Sequence, residues 1–123
     1  MKIVVVKDDI IPWTDESGIL YISIKEEKYP QFKGGEKELM AKMYFDGQTR
    51  VMKGILIPGA SIGLHTHSDN CEVLFLTKGN AHVLYDGQTI ELHEGQCHYC
   101  PTGHSHSLIN NSDSAIEFTA VVK

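Results

Sequence analysis

All seven histidines of the chain lie between His65 and His106. His65 and His67 are two residues apart, which on a β-strand places both imidazoles on one face, about 7 Å apart along the chain. A turn signal at 68–70 follows, so the next strand can return the carboxylate of Glu72 toward them. His106 lies beyond a further hairpin and could supply a fourth ligand. Imidazoles combined with a carboxylate and open coordination positions are typical of sites for divalent first-row metals.

Glycine, proline and asparagine residues recur at fixed spacings around these side chains. The first pattern is glycine, five residues, His-x-His, four residues, Glu, six residues, glycine, and its members are Gly59, His65, His67, Glu72 and Gly79. The second is glycine, five residues, Pro-x-Gly, two residues, His, three residues, Asn, and its members are Gly95, Pro101, Gly103, His106 and Asn110. Together the two patterns resemble the paired motifs of the cupin family, with the short separation typical of small single-domain members.

This resemblance implies an all-β fold, the double-stranded β-helix or jelly-roll barrel. It also implies that His65, His67, Glu72 and His106 bind a divalent metal inside that barrel. The expected domain organisation is one cupin domain over residues 1–123, with a barrel core at about 50–122 preceded by strands and a loop at 1–49. Imidazole and carboxylate ligands suit Mn, Fe, Ni or Zn, so the metal is not identified.

Composition restricts the partners of the chain. A length of 123 residues predicts a single domain, and a net charge of -5 is unfavourable for contact with nucleic acid. The apolar run at 2–6 is too short for a signal peptide, and no run is long enough to span a membrane, so a cytoplasmic location is expected. Three cysteines without a secretory signal predict reduced thiols.

Apolar and polar residues alternate through most of the chain, and regularly spaced turn signals favour a closed barrel. Gly18–Lys25 is expected to form a strand. Asp-Gly pairs within the related segments 45–49 and 85–89 predict two hairpins with type I′ turns. The charged segment 26–37 is expected to be a mobile loop.

Several further side chains could contribute to chemistry. His98 and Tyr99 are candidate catalytic acids or bases, but they lie on opposite faces of one predicted strand, so at most one easily points into the barrel. Lys53 interrupts an apolar alternation and is either a lysine at the barrel mouth or a substrate-binding cation. Cys97 and Cys100 form a C-x-x-C whose members face opposite ways on a strand, which disfavours a shared metal or disulfide.

The remaining candidates are expected to have structural roles. Cys71 is interpreted as a buried structural thiol, with a position near the metal as the alternative. His104 is interpreted as a residue at the rim of the site, although its spacing from His106 could put both on one face. His82 and His93 are expected on solvated faces.

Function is less specified than fold, because the resemblance covers many activities. The favoured hypothesis is an isomerase, epimerase or lyase acting on a small sugar, sugar acid or keto acid bound at the metal. The alternatives are an Fe(II)-dependent dioxygenase and a non-catalytic barrel that binds or senses a metabolite. A homodimer is expected, in which the β-branched run Lys2–Val6 could pair with the sheet of a partner.

Overall fold

The computed structural model describes the backbone of residues 10–14 and 20–123, and the side chains from Ser23 onward. Within these residues the secondary structure is strands and one 3₁₀ turn, Phe32–Gly34, with no α-helix. The strands are β1 (Ile10–Thr14), β2 (Leu20–Ile24), β3 (Glu27–Pro30), β4 (Glu38–Phe45), β5 (Arg50–Leu56), β6 (Ser61–Thr66), β7 (Glu72–Lys78), β8 (Asn80–Tyr85), β9 (Gln88–His93), β10 (Cys97–Cys100), β11 (Ser105–Ile109) and β12 (Ile116–Val122).

Two antiparallel sheets form the body of the fold. One has the strand order β10-β7-β12-β5-β4-β3 and the other β6-β11-β8-β9, while β1 pairs with β2 as a separate ribbon. The non-sequential neighbours show that the chain crosses between sheets, as in a jelly roll. This strand order, with no α-helix among the described residues, confirms the predicted all-β, double-stranded β-helix architecture.

The inner face of the six-stranded sheet is filled by side chains in register. One row crosses the sheet as His98, Leu74, Ala120, Met52 and Met43. The next row contains Leu76, Phe118, Gly54 and Ala41, and the Phe118 ring occupies the space that a side chain at Gly54 would need. The strict period of two along these strands therefore sorts apolar residues to the interior, as the sequence predicts.

Both hairpins predicted from Asp-Gly pairs are present, but their turns differ. Asp86 and Gly87 have φ angles of 49° and 81° and join β8 to β9 as a two-residue turn, as predicted for type I′. The other turn spans the four residues between Phe45 and Arg50, and the Asp46 carboxylate accepts hydrogen bonds from the N–H groups of Gln48 and Thr49. There the aspartate side chain stabilises a wider turn.

The segment 26–37, expected to be a mobile loop, instead contains β3 and the 3₁₀ turn and is docked on β6. The Ser61 N–H donates to Glu36 O (3.0 Å), and the Glu36 N–H donates to Ser61 Oγ (2.9 Å). Close packing between backbones is possible because Gly35 and Gly63 have no side chains there. The charged composition reflects exposure of the segment rather than an absence of structure.

At the N-terminus, the strand expected at Gly18–Lys25 corresponds to β2, which the structure places at Leu20–Ile24. Gly18 and the run Lys2–Val6 lie outside the described residues.

The contact between Gly63 and the 3₁₀ turn can be tested by Gly63→Ala. A Cβ at residue 63 would lie 2.0 Å from the backbone oxygen of Lys33, so the turn must move. We expect a loss of about 1–3 kcal/mol in the free energy of unfolding, measured in urea. The matched control is Leu64→Ala at the neighbouring exposed residue, with an expected change within about 0.5 kcal/mol. Equal stability of Gly63→Ala and wild type would show that the turn does not pack on β6.

Candidate metal centre

Three segments bring the predicted ligands together. His65 is on β6, His67 follows that strand, Glu72 begins β7, and His106 lies on β11, directly opposite His65 in the antiparallel pair. The N–H of Gly103 donates to the backbone oxygen of His67 (2.6 Å). This bond ties the turn before β11 to the first histidine pair, so the two sequence motifs meet at one point.

A register shift between β6 and β11 aims the side chains. Ile62 pairs with Leu108 and His65 pairs with His106, so β6 has one residue more than β11 across this interval. Because of the shift, the side chains of Ile62 and His65, three residues apart, both line the interior cavity, whereas Leu64 between them is 61% exposed. Irregularities of this kind next to functional sites commonly redirect a side chain.

The four predicted ligands converge on a small volume. The Nε2 atom of His106 lies 2.9 Å from that of His67 and 3.2 Å from that of His65. The Glu72 Oε1 atom lies 3.0 Å from the Nε2 atoms of His67 and His106, and 4.0 Å from that of His65. In an octahedral shell with bonds of about 2.1 Å, neighbouring ligand atoms lie about 3.0 Å apart and opposite ones about 4.2 Å. These five distances match that shell.

The outer nitrogens of the imidazoles are engaged elsewhere. His65 Nδ1 lies 2.7 Å from Gly63 O, and His67 Nδ1 lies 2.6 Å from Asn70 Oδ1. Because these oxygens only accept, both Nδ1 atoms donate, and both Nε2 atoms then present a lone pair to the cluster. Lone pairs and a carboxylate oxygen at such distances repel one another unless positive charge lies between them, supplied either by additional protons on the imidazoles or by a metal cation. The donor set therefore fits a divalent metal.

The electrostatics of the cluster keep its carboxylate ionised. When protons on the imidazoles rather than a metal supply the positive charge, burial alone would raise the pKa of Glu72, but the neighbouring imidazoles of His106, His65 and His67 outweigh burial and hold that pKa far below the usual carboxyl range. The hydrogen bond with Glu72 raises the pKa of His67, against the opposing effect of burial. An ionised, 4% exposed Glu72 is a strong ligand for a cation.

The cluster lies in the wall of a cavity of about 240 Å³, which has room for one small ligand. On one side the lining is apolar and includes Leu74 and Leu108, as the alternation of their strands predicts. The lining also includes Phe32, Lys33, Phe45 and Arg50, of which Lys33 and Phe45 are exposed and Phe32 and Arg50 are half-buried. A ligand at the cluster would be largely removed from water, where charge interactions are strong.

The two candidate acid–base residues are placed on opposite faces of β10, as expected. His98 is 7% exposed, and its Nε2 lies 3.0 Å from His106 Nδ1. His98 is therefore on the side of the His106 ring that faces away from the cavity. Burial lowers its pKa, with a further contribution from His106, which favours a neutral ring. Tyr99 is 55% exposed on the outer face. A catalytic role for either residue stays a prediction, and the interior position favours His98 over Tyr99.

The rim residues form a separate chain of contacts. His104 Nδ1 is hydrogen-bonded to the Asp86 carboxylate, and its ring stacks on Tyr85 at 5.6 Å. The Tyr85 ring in turn meets His98 edge-on at 5.4 Å. His104 is therefore part of a partly exposed cluster outside the cavity, in agreement with its interpretation as a rim residue.

The cysteines are unpaired. Cys97 is exposed and Cys100 is fully buried, on opposite faces of β10 as expected. Burial raises the pKa of Cys100 to about 11. Cys71 is partly exposed rather than buried, and its thiol contacts Lys123 O at 3.4 Å. None of the three lines the cavity.

The other polar candidates lie away from the cavity. His93 is exposed, and His82 is partly exposed beside Asn111, which agrees with the prediction of solvated faces. Lys53 is exposed on the outer face of β5, beside Val51 and Val121.

Sequence reasoning missed Arg50. The inner face of β5 is formed by Met52, Gly54 and Leu56, not by the apolar residues on the face of Lys53. Arg50 has the inner parity and lines the cavity. Two signals in the sequence could have identified it. Arg50 is the single arginine among eleven basic residues, and it lies on the same face of the strand as the apolar residues Met52 and Leu56.

Comparison with known families and curated proteins gives the following similarities. The family model described as "Cupin domain" matches residues 52–122. An oxalate-binding protein from Thermotoga maritima is 28% identical over 105 residues, covering 80% of this chain and 87% of that protein.

Solved structures extend the comparison. The crystal structure of a predicted oxalate decarboxylase from Thermotoga maritima superposes with a TM-score of 0.76 and 26% identity, covering 80% of this chain and 91% of the other. The cupin domain of Schizosaccharomyces pombe Cnp3 has a TM-score of 0.69 at 12% identity, covering 94% and 88%, and shows the fold alone. Among the described residues, no helix is long and apolar enough to span a membrane.

Proposed function

The chain belongs to the cupin family, and on that premise we propose that it binds a small oxygen-rich anion, with oxalate as the first ligand to test, at a divalent metal. The metal ligands in this proposal are His65, His67, Glu72 and His106. The observation that carries the proposal is the convergence of these four side chains. Each offers one ligand atom, an imidazole nitrogen or a carboxylate oxygen, and these four atoms all lie within 4.8 Å of one another. A metal bound there would act as a Lewis acid that polarises a ligand oxygen.

Three observations support a chelating anion as the ligand. Four protein ligands leave two positions of a six-coordinate shell, which suit a bidentate carboxylate ligand. The cavity is small, and its lining contains the cations Lys33 and Arg50. The similarity to an oxalate-binding protein points to the same chemistry. Sugar acids and keto acids, expected from the sequence, share the chelating group and belong to the same ligand class.

An isomerase, epimerase or lyase activity is a second candidate function. The specific observation in its favour is the similarity in structure to a predicted oxalate decarboxylase, since decarboxylation is a lyase reaction. His98 does not line the cavity and reaches it only through His106. The position of His98 therefore favours binding of the ligand without a chemical reaction. An Fe(II)-dependent dioxygenase is treated as one outcome of the ligand test below.

We expect wild-type protein purified without an affinity tag or chelator to contain about one transition metal ion per chain, measured by elemental mass spectrometry. His65→Ala removes one ligand and should lower metal affinity by about 100-fold or more. The matched control is His82→Ala, which removes a partly exposed imidazole on β8 and should retain the metal. Wild-type protein that also refuses added Mn, Fe, Ni and Zn would disprove the proposed centre.

Titration of oxalate into metal-loaded protein should give saturable heat, because the metal supplies the main attraction for the anion. Metal-free protein and His65→Ala should show none. Oxalate recovered unchanged would support a binding protein, and formate with an equal amount of carbon dioxide would support a lyase. Ligand-dependent oxygen uptake by iron-loaded protein, with both atoms of O₂ recovered in the organic product, would support a dioxygenase. Absence of binding by oxalate, sugar acids and keto acids at the loaded metal would contradict the proposal.

We further propose that the chain forms a homodimer through the outer face of the six-stranded sheet. Exposed apolar side chains lie together on that face: Val51, Phe75, Tyr99 and Val121, with exposures of 37–55%. Tyr99, Val73, Val121 and Val51 are in register across four strands, which gives a continuous apolar surface.

Sedimentation velocity at micromolar concentration should show a dimer for wild type. Val121→Lys places a charge at the centre of the apolar row and should give a monomer. The control is Leu64→Lys, at an exposed leucine of the other sheet, which should remain dimeric. A monomeric wild type would refute the dimer.

A further inference from the structure

Arg50 occupies a position that the proposed metal centre does not explain. It begins β5 with the same parity as the buried Met52 and Gly54, so its side chain starts from the inner face of the sheet. In the register of that face, Glu72 is opposite Val122, and Val122 is opposite Arg50. Arg50 is therefore two strands from a proposed metal ligand in the same row, at a backbone separation of about 10 Å.

The guanidinium is held in place by uncharged neighbours. Its Nη1 lies 2.8 Å from Met43 Sδ, and the group stacks over the Phe45 ring at 4.7 Å. Across the described part of the chain, no carboxylate forms an ion pair with it. A partly buried cation without a carboxylate is costly, so its fork of N–H donors is available to an anion that enters the cavity.

The choice of residue type strengthens this argument. The chain has ten lysines and one arginine. Two basic residues line the cavity, Lys33 and Arg50, and the arginine is the one that starts from the inner face of the six-stranded sheet. Arginine binds carboxylate through two parallel hydrogen bonds, which lysine cannot do. Lysine supplies the charge at solvated positions such as Lys53, while the cavity wall carries the group that recognises a planar anion.

Resting on the proposed function, we propose that Arg50 is a specificity-determining residue that binds a second carboxylate of the metal-bound ligand. Oxalate is short, and a chelate at the metal uses both of its carboxylates. The ligand that satisfies both the metal and Arg50 is a longer dicarboxylic acid, with a 2-hydroxy or 2-oxo carboxylate at the metal end. The separation of about 10 Å between the backbones of Glu72 and Arg50 favours a ligand whose two carboxylates are further apart than those of oxalate.

The test compares malate with 2-hydroxybutanoate, which share the chelating group and differ in the distal carboxylate. Dissociation constants are measured by calorimetry on Mn(II)-loaded protein, with oxalate as the reference ligand. Malate should bind wild type at least about tenfold more tightly than 2-hydroxybutanoate, because charge-assisted hydrogen bonds to Arg50 are added. Arg50→Met should reduce this ratio to about one, because it weakens the binding of malate much more than that of 2-hydroxybutanoate.

Two further variants separate charge from geometry. Lys53→Met removes a cation from the outer face of the same strand and should keep the wild-type ratio. Arg50→Lys keeps the charge without the fork and should give an intermediate ratio; it also serves if Arg50→Met fails to fold or to retain manganese.

Three results would overturn the role of Arg50: equal binding of the two acids by wild type, a ratio that survives Arg50→Met, or a ratio that is unchanged in Arg50→Lys. In each of these cases, binding of oxalate to the loaded metal would still support the proposed function. If neither acid nor oxalate binds the loaded metal, the proposed function itself falls, and this inference with it.

Discussion

The structure depends on one electrostatic constraint, the convergence of imidazole lone pairs and an ionised carboxylate in a space that water barely reaches. His67, His106 and Glu72 are each at most 6% exposed, and their donor atoms approach to about 3 Å. Such groups repel without a cation and cost several kcal/mol to bury without partners. The surrounding fold fixes them in place: Gly63, Asn70 and His98 hold the outer nitrogens, so the rings cannot turn away.

The rest of the second motif stabilises this arrangement from a distance. Asn110 is fully buried, its amide donates to Leu56 O and Ser114 O, and its oxygen accepts two hydrogen bonds from Ser112. Its backbone exchanges hydrogen bonds with Gly59 and Ala60, before β6. The last residue of one motif therefore anchors the first residue of the other. The spacing of the two motifs in the sequence therefore corresponds to a physical link between the two halves of the site.

The features that the sequence could predict are those set by strand parity and by motif spacing. Leu74 and Leu76 share a face with Glu72, and Leu108 with His106, because successive side chains on a strand alternate. The register shift on β6 could not be predicted in this way, since it depends on pairing with β11, which is distant in sequence. The two Asp-Gly turns make the same point: nearly identical pentapeptides adopt different turns because Asp46 caps two N–H groups in one and Asp86 has a left-handed backbone in the other.

Arg50 shows where parity alone fails. Both faces of β5 carry apolar residues, so the alternation around Lys53 was as regular as the one around Arg50, and only the packed structure shows which face is inside. The distinction matters for an anionic ligand, because the chain carries a net charge of -5. Surface charges beyond about 8 Å are largely screened at physiological ionic strength, whereas charges lining a partly enclosed cavity are not. In the proposed site, the attraction for an anion would therefore be set by the charges that line the cavity: a bound metal, the carboxylates of Glu72 and Asp69, and the cations Lys33 and Arg50, of which Arg50 is placed there by the inner parity of β5.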